Sequence, residues 1–122
     1  MDINLLKDKI SNRQLNKIPH LTNEQILQNH LSYINYHKQV NEDEIYVIPI
    51  EEMSELMQHL TKCIRNKESF DNDNIELLEE LVDVQICLDN LKIAFDIDDE
   101  LIKTITDIKF ERIQNKIVAG NQ

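Results

Sequence analysis

The chain is 122 residues long, the size of one domain with a single modest hydrophobic core. Its 23 acidic residues against 13 basic ones give a formal charge of −10, a field that repels nucleic-acid backbones and argues against DNA or RNA as a partner. No apolar run approaches the ~18 residues of a membrane span, so neither nucleic acid nor membrane is expected as a partner.

One Gly and two Pro, set among many Leu, Ile, Glu, Lys and Gln residues, favour long helices with short connections. The acidic charge does not exclude a small phosphate ligand, because a bound divalent cation reverses the local sign. Cys63 and Cys87 lie on apolar stretches without zinc spacing and are expected to be buried, reduced thiols. The opening Met1-Asp2-Ile3-Asn4 carries no apolar signal-peptide core, and a cytoplasmic protein is expected.

In chain order, Ile3, Leu6, Ile10 and Leu15 suggest a short helix over residues 3–17, stopped by Pro19. Thr22 then opens a second helix as N-cap. Gln25 completes a capping box, and Leu21 and Ile26 stand as a hydrophobic staple. The stripe Ile26, Leu27, Leu31 and Ile34 carries this helix to about His37.

After the polar turn at residues 40–44, Ile45-Tyr46-Val47-Ile48 reads as a buried connector. It leads to Pro49 in the first turn of a third helix over about residues 50–65. Ile50, Met53, Met57, Leu60 and Ile64 line one face of that helix.

Residues 66–72 read as a loop, and Asp73 is expected to cap a fourth helix that is apolar nearly all round, from Ile75 to Leu91. Such a helix belongs at the centre of a bundle or in a subunit interface. A last helix over about residues 99–118 carries Leu101, Ile102, Ile105, Ile108, Ile113 and Ile117, and Gly120 marks its end. The expected fold is a single all-α domain over residues 1–122, a bundle of four to five helices with a core shared in an oligomer.

The informative polar residues are acids beside apolar stripes. Glu52 and Glu55 are three apart on the third helix, and Glu80 and Asp83 repeat that spacing inside the most apolar helix of the chain. One such pair in a chain that is 30% charged reads as solvated surface. Two pairs on consecutive core helices read differently, because converging carboxylates in a low-dielectric interior repel one another unless a cation binds. Mg²⁺ is the expected ion, since it prefers oxygen ligands and leaves positions for water and phosphate.

The pattern Glu51-Glu52-x-x-Glu55, then residues 56–79, then Glu80-x-x-Asp83, resembles the EExxE…ExxD signature of MazG-like all-α nucleoside triphosphate pyrophosphatases. The flanking Ile50-Glu51-Glu52-Met53-Ser54-Glu55-Leu56 and Glu79-Glu80-Leu81-Val82-Asp83-Val84 are similar too, and the likeness covers about residues 48–117. Residues 1–45 carry no motif of that family.

The resemblance implies hydrolysis of an NTP or dNTP between the α and β phosphates, giving a nucleoside monophosphate and pyrophosphate in nucleotide-pool housecleaning. It implies that Glu52, Glu55, Glu80 and Asp83 are ligands of Mg²⁺ or Mn²⁺. Glu51, beside Glu52 in the catalytic pair, would orient or deprotonate the attacking water. A homodimer or homotetramer is the expected assembly. The residue types suit that chemistry, which asks little of a protein beyond positioning and electrostatics.

Phosphate contacts are expected from Lys62, seven residues after Glu55, and from Lys109 and Arg112, which share a stripe with Lys116 on the last helix. Asn90, seven residues after Asp83 on one helix face, is a candidate contact to the nucleoside; satisfying a helix carbonyl is its structural alternative. His59 stands one turn beyond Glu55 as a supporting partner of the site or a packed side chain, while His20, His30 and His37 form no ligand pattern. Tyr33 and Tyr36 could face a base or simply fill the core. Two other readings stay open: a catalytically idle nucleotide-binding protein on the same fold, and a structural helical oligomer whose acids are surface charge.

Overall fold

The computed structural model describes residues 20–120, which form four α-helices: α1 (Asn23–Val40), α2 (Glu44–Asn66), α3 (Ile75–Ala94) and α4 (Asp99–Gly120). No strand occurs among the described residues, so the chain is all-α there. The helix expected over residues 3–17 lies outside them.

Local chemistry explains where α1 starts. Gln25 N–H donates to Thr22 Oγ1 at 3.2 Å while Thr22 N–H donates to Gln25 Oε1 at 2.8 Å, so both halves of the capping box are made.

α2 begins at Glu44, earlier than the expected start near Ile50, and absorbs the connector Ile45–Ile48. Pro49 therefore sits inside the helix, where it removes one backbone donor near the N-terminus, a tolerable loss compared with a mid-helix proline. Tertiary contact offsets it: Pro49 is buried, and His37 near the end of α1 bonds Glu44, the first residue of α2, at 2.5 Å (Nδ1 to Oε2). Lys67 closes α2 in the left-handed region at φ 53°, and Glu68 N–H returns to the Cys63 carbonyl at 2.9 Å.

The cap of α3 is Asn74 and not the expected Asp73. Asn74 Oδ1 accepts from Leu77 N–H at 3.3 Å, and its Nδ2 donates to the Ser69 carbonyl at 3.1 Å, tying the loop to the helix start.

α3 packs against both α1 and α2, most extensively against α2, which matches the central place its apolar sequence predicts. Leu77, Cys87, Cys63 and Ile34 are buried between these three helices, with Leu77 completely enclosed. Cys63 and Cys87 are both free and buried, as expected.

α4 differs from expectation. Its apolar stripe is not buried against the other three helices: none of its residues is buried, and Leu101, Ile102, Ile105, Ile108, Ile113 and Ile117 are all exposed. Much of the third-helix stripe, including Ile50, Met57 and Ile64, is exposed as well. No helix among the described residues is long and apolar enough to cross a membrane.

Candidate metal centre

The crossing of α2 and α3 brings together acids that are far apart in sequence. Glu52 from α2 and Glu80 and Asp83 from α3 each present an oxygen, and these three atoms lie within 4.8 Å of one another. The helical repeat does this work: a spacing of three residues keeps Glu80 and Asp83 on one face of α3, and the packed α2–α3 interface turns that face towards Glu52.

Glu55 lies outside that group of three and is exposed, yet it borders the site. Its carboxylate lies close enough to add its negative field to Glu52, Glu80 and Asp83. Glu51 is exposed and does not join the group.

The electrostatics are those of a crowded anionic site. Burial is the first cause that pushes the Glu52 carboxyl above its ordinary value, followed by the charges of Glu55, Asp83 and Glu80. Glu80 is raised by burial and then by Glu55, against an opposing pull from His59. Asp83 is raised by burial, then by Glu79 and Glu55. One turn along α3, burial and the fields of Glu52 and Asp83 push the Cys87 thiol up to about 11, which leaves it protonated and inert near neutral pH. Tyr33 is raised in the same way, by burial and then by Cys87, Glu52 and Asp83, so α1 contributes an aromatic edge beside the acids.

A divalent cation fits this donor set. Glu52 Oε2 and Glu80 Oε2 are buried and accept no hydrogen bond among the described residues, which is costly for anionic oxygens that lack a positive partner. Octahedral Mg²⁺, with bonds of about 2.0–2.1 Å, places opposite ligands about 4.2 Å apart. A spread of 4.8 Å therefore closes on such an ion with small side-chain shifts.

The raised values carry a sign that can be measured. The folded chain holds these protons more tightly than the unfolded chain does, so the carboxyls favour folding below the ordinary carboxylate range. That contribution is lost as pH rises through the raised values. In metal-free protein the melting temperature is expected to climb as pH is lowered from above the raised values towards the ordinary carboxylate range. The double substitution Glu52→Gln, Glu80→Gln should flatten the climb. A melting temperature that only falls across that window, in parent and variant alike, would contradict the crowding.

The structure places the other candidates unevenly. Asn90 is buried, at 7% exposure, and its Oδ1 lies 2.5 Å from His30 Nδ1 while its Nδ2 has no partner. With His30 and Tyr33 it lines an apolar groove that also includes Leu21, Ile26 and Ile86. Tyr33 stacks obliquely on His37 at 4.3 Å, and Tyr36 is largely exposed. Lys62 is exposed on α2; Lys109 and Arg112 are exposed on α4, which does not pack beside the acids. None of these three cations forms an ion pair among the described residues.

Sequence reasoning missed the side-chain bonds His30–Asn90 and His37–Glu44 and left the contact of His59 with Glu80 open. His37 and Glu44, seven residues apart across a turn, were within reach of a local reading. The 60-residue separation of His30 and Asn90 was not. No protein-family model, curated protein or solved structure matches the chain.

Proposed function

We propose that the chain is a Mg²⁺-dependent, MazG-like nucleoside triphosphate pyrophosphohydrolase, with its site at the crossing of α2 and α3. The observation that carries this reading is the convergence of Glu52, Glu80 and Asp83, two of them with buried, unpartnered oxygens. The motif resemblance supplies the substrate class and the bond cleaved.

In this reading Glu52, Glu80 and Asp83 bind the ion directly, and Glu55, beside them on α2, completes the set. When bound, Mg²⁺ (or Mn²⁺) supplies the positive charge that offsets the phosphates and makes water nucleophilic near neutral pH. Glu51, exposed at the rim, orients the attacking water or takes its proton. Lys62, unpaired among the described residues, meets the phosphate oxygens, and Lys109 and Arg112 do so from the α4 of a second copy, since α4 does not pack beside the acids within one chain. Asn90 offers its free amide to the nucleoside.

The test is a pyrophosphate-release screen over standard and modified NTPs and dNTPs, with and without Mg²⁺. A monophosphate and pyrophosphate, formed only with the metal, are the expected products. Orthophosphate with a nucleoside diphosphate would overturn the reaction class, and tight binding without turnover would leave an idle nucleotide-binding protein.

The same reading calls for a second copy of the chain. A 22-residue helix with no buried residue and six exposed Leu and Ile side chains along its stripe leaves an apolar surface that water penalises. A homodimer or homotetramer covers it. Light scattering at micromolar concentration is expected to give at least twice the chain mass of 14.4 kDa, and a stable monomer would refute the assembly.

A further inference from the structure

Resting on the metal-site reading above, we propose that His59 is a positioning residue for Glu80: its imidazole holds one carboxylate oxygen and leaves the other turned to the cation. His59 follows Glu52 by seven residues and Glu55 by four, so all three share a face of α2. Glu80 comes from α3, and the contact exists only because the two helices cross.

His59 Nε2 lies 3.6 Å from Glu80 Oε1. That is just beyond hydrogen-bond length, so the packing of the two side chains holds the imidazole edge against the carboxylate, where an N–H on Nε2 faces the oxygen as a dipole. The second oxygen, Oε2, is buried without a partner. The two oxygens of Glu80 are therefore committed differently, one to the imidazole and one to the interior.

Glu80 needs such a hold. Its acidic neighbours Glu55 and Asp83 repel it, and without an opposing group the side chain would relieve that repulsion by swinging towards solvent. His59 is the group that opposes them at this carboxylate. The imidazoles of His30 and His37 are committed elsewhere, to Asn90 and Glu44. Groups that orient a metal-binding side chain from outside the ion's own shell change metal affinity by roughly 10–100-fold.

The experiment uses the full, nucleotide-free chain and Mn²⁺ as the probe, with free Mn²⁺ followed by its electron paramagnetic resonance signal. His59→Leu is expected to weaken Mn²⁺ binding by roughly 10–100-fold. His59→Gln, which keeps an N–H donor at similar reach, should recover most of the loss at an unchanged melting temperature. Should the leucine variant fail to fold, His59→Asn takes its place, because its shorter side chain cannot reach Glu80. Pulsed measurements on the parent should show no nitrogen directly bound to Mn²⁺. Equal binding in parent and His59→Leu, equal loss in the leucine and glutamine variants, or a directly bound nitrogen would each overturn the role. Glu80→Gln separates the two levels: if it binds Mn²⁺ like the parent, the metal site itself falls. If it loses Mn²⁺ while His59→Leu does not, only the role of His59 falls.

Discussion

Asp83→Asn is expected to lower pyrophosphate release by on the order of 10³-fold while leaving the metal-free fold intact or slightly more stable. The size follows from the several kcal/mol that a bound cation contributes to a phosphoryl transition state, at about 1.36 kcal/mol per tenfold in rate. The sign on stability follows from the site itself, where Asp83 is one of three acids whose ligand atoms lie within 4.8 Å of one another, and its ionised form is disfavoured by desolvation and by the charges of Glu79 and Glu55. Asparagine keeps the shape and removes one charge. Glu55→Gln should behave alike in turnover, because Glu55 adds its field to all three acids. Mg²⁺ with nucleotide should raise the melting temperature of the parent, since a ligand that binds only the folded state stabilises it by mass action, and should do much less for either variant. Full activity in Asp83→Asn, with an undiminished metal response, would mean the acids are surface charge.

Leu77→Ala is expected to cost about 2–5 kcal/mol, a large share of the ~5–15 kcal/mol that holds a domain folded. Leu77 is the one large side chain completely enclosed among the described residues, near the N-terminal end of α3 where that helix meets its neighbours. Truncation would leave a cavity that three packed helices can close only in part. Urea denaturation measures the loss as a drop in midpoint at unchanged slope. Ile64→Ala is the contrast. At 83% exposure in the single chain its loss should stay within about 0.5 kcal/mol, and a larger cost would locate Ile64 in a contact between copies. A Leu77→Ala variant with the parent's midpoint would show that the core lies elsewhere.

Helix identity and the acid pairs were legible along the chain because they rest on short-range geometry. The capping box joins residues three apart, Thr22 and Gln25, and needs no tertiary partner. The i, i+3 spacing of Glu80 and Asp83 likewise puts both on one face of any helix that contains them. The nearly unbroken apolar sequence of α3 foretold its central place. Pro49 was ambiguous for a physical reason. A proline is compatible with a helix start and, at modest cost, with the turn after it. The burial of Pro49, with Ile45 and Ile48 half-buried, and the His37–Glu44 bond decided for the latter, while Tyr46 and Val47 stay exposed and do not form the expected buried connector.

Only the tertiary structure decided which acids meet. Glu52, Glu80 and Asp83 converge, the two glutamates half-buried and Asp83 exposed, while Glu55 stays outside the group, because the crossing of α2 and α3 sets those distances and periodicity does not. The crossing also delivers His59 to Glu80, and the packing of α1 on α3 delivers His30 to Asn90. The same reason explains α4. Its pattern states that one face is apolar, but a pattern names no neighbour, and within one chain that face stays exposed.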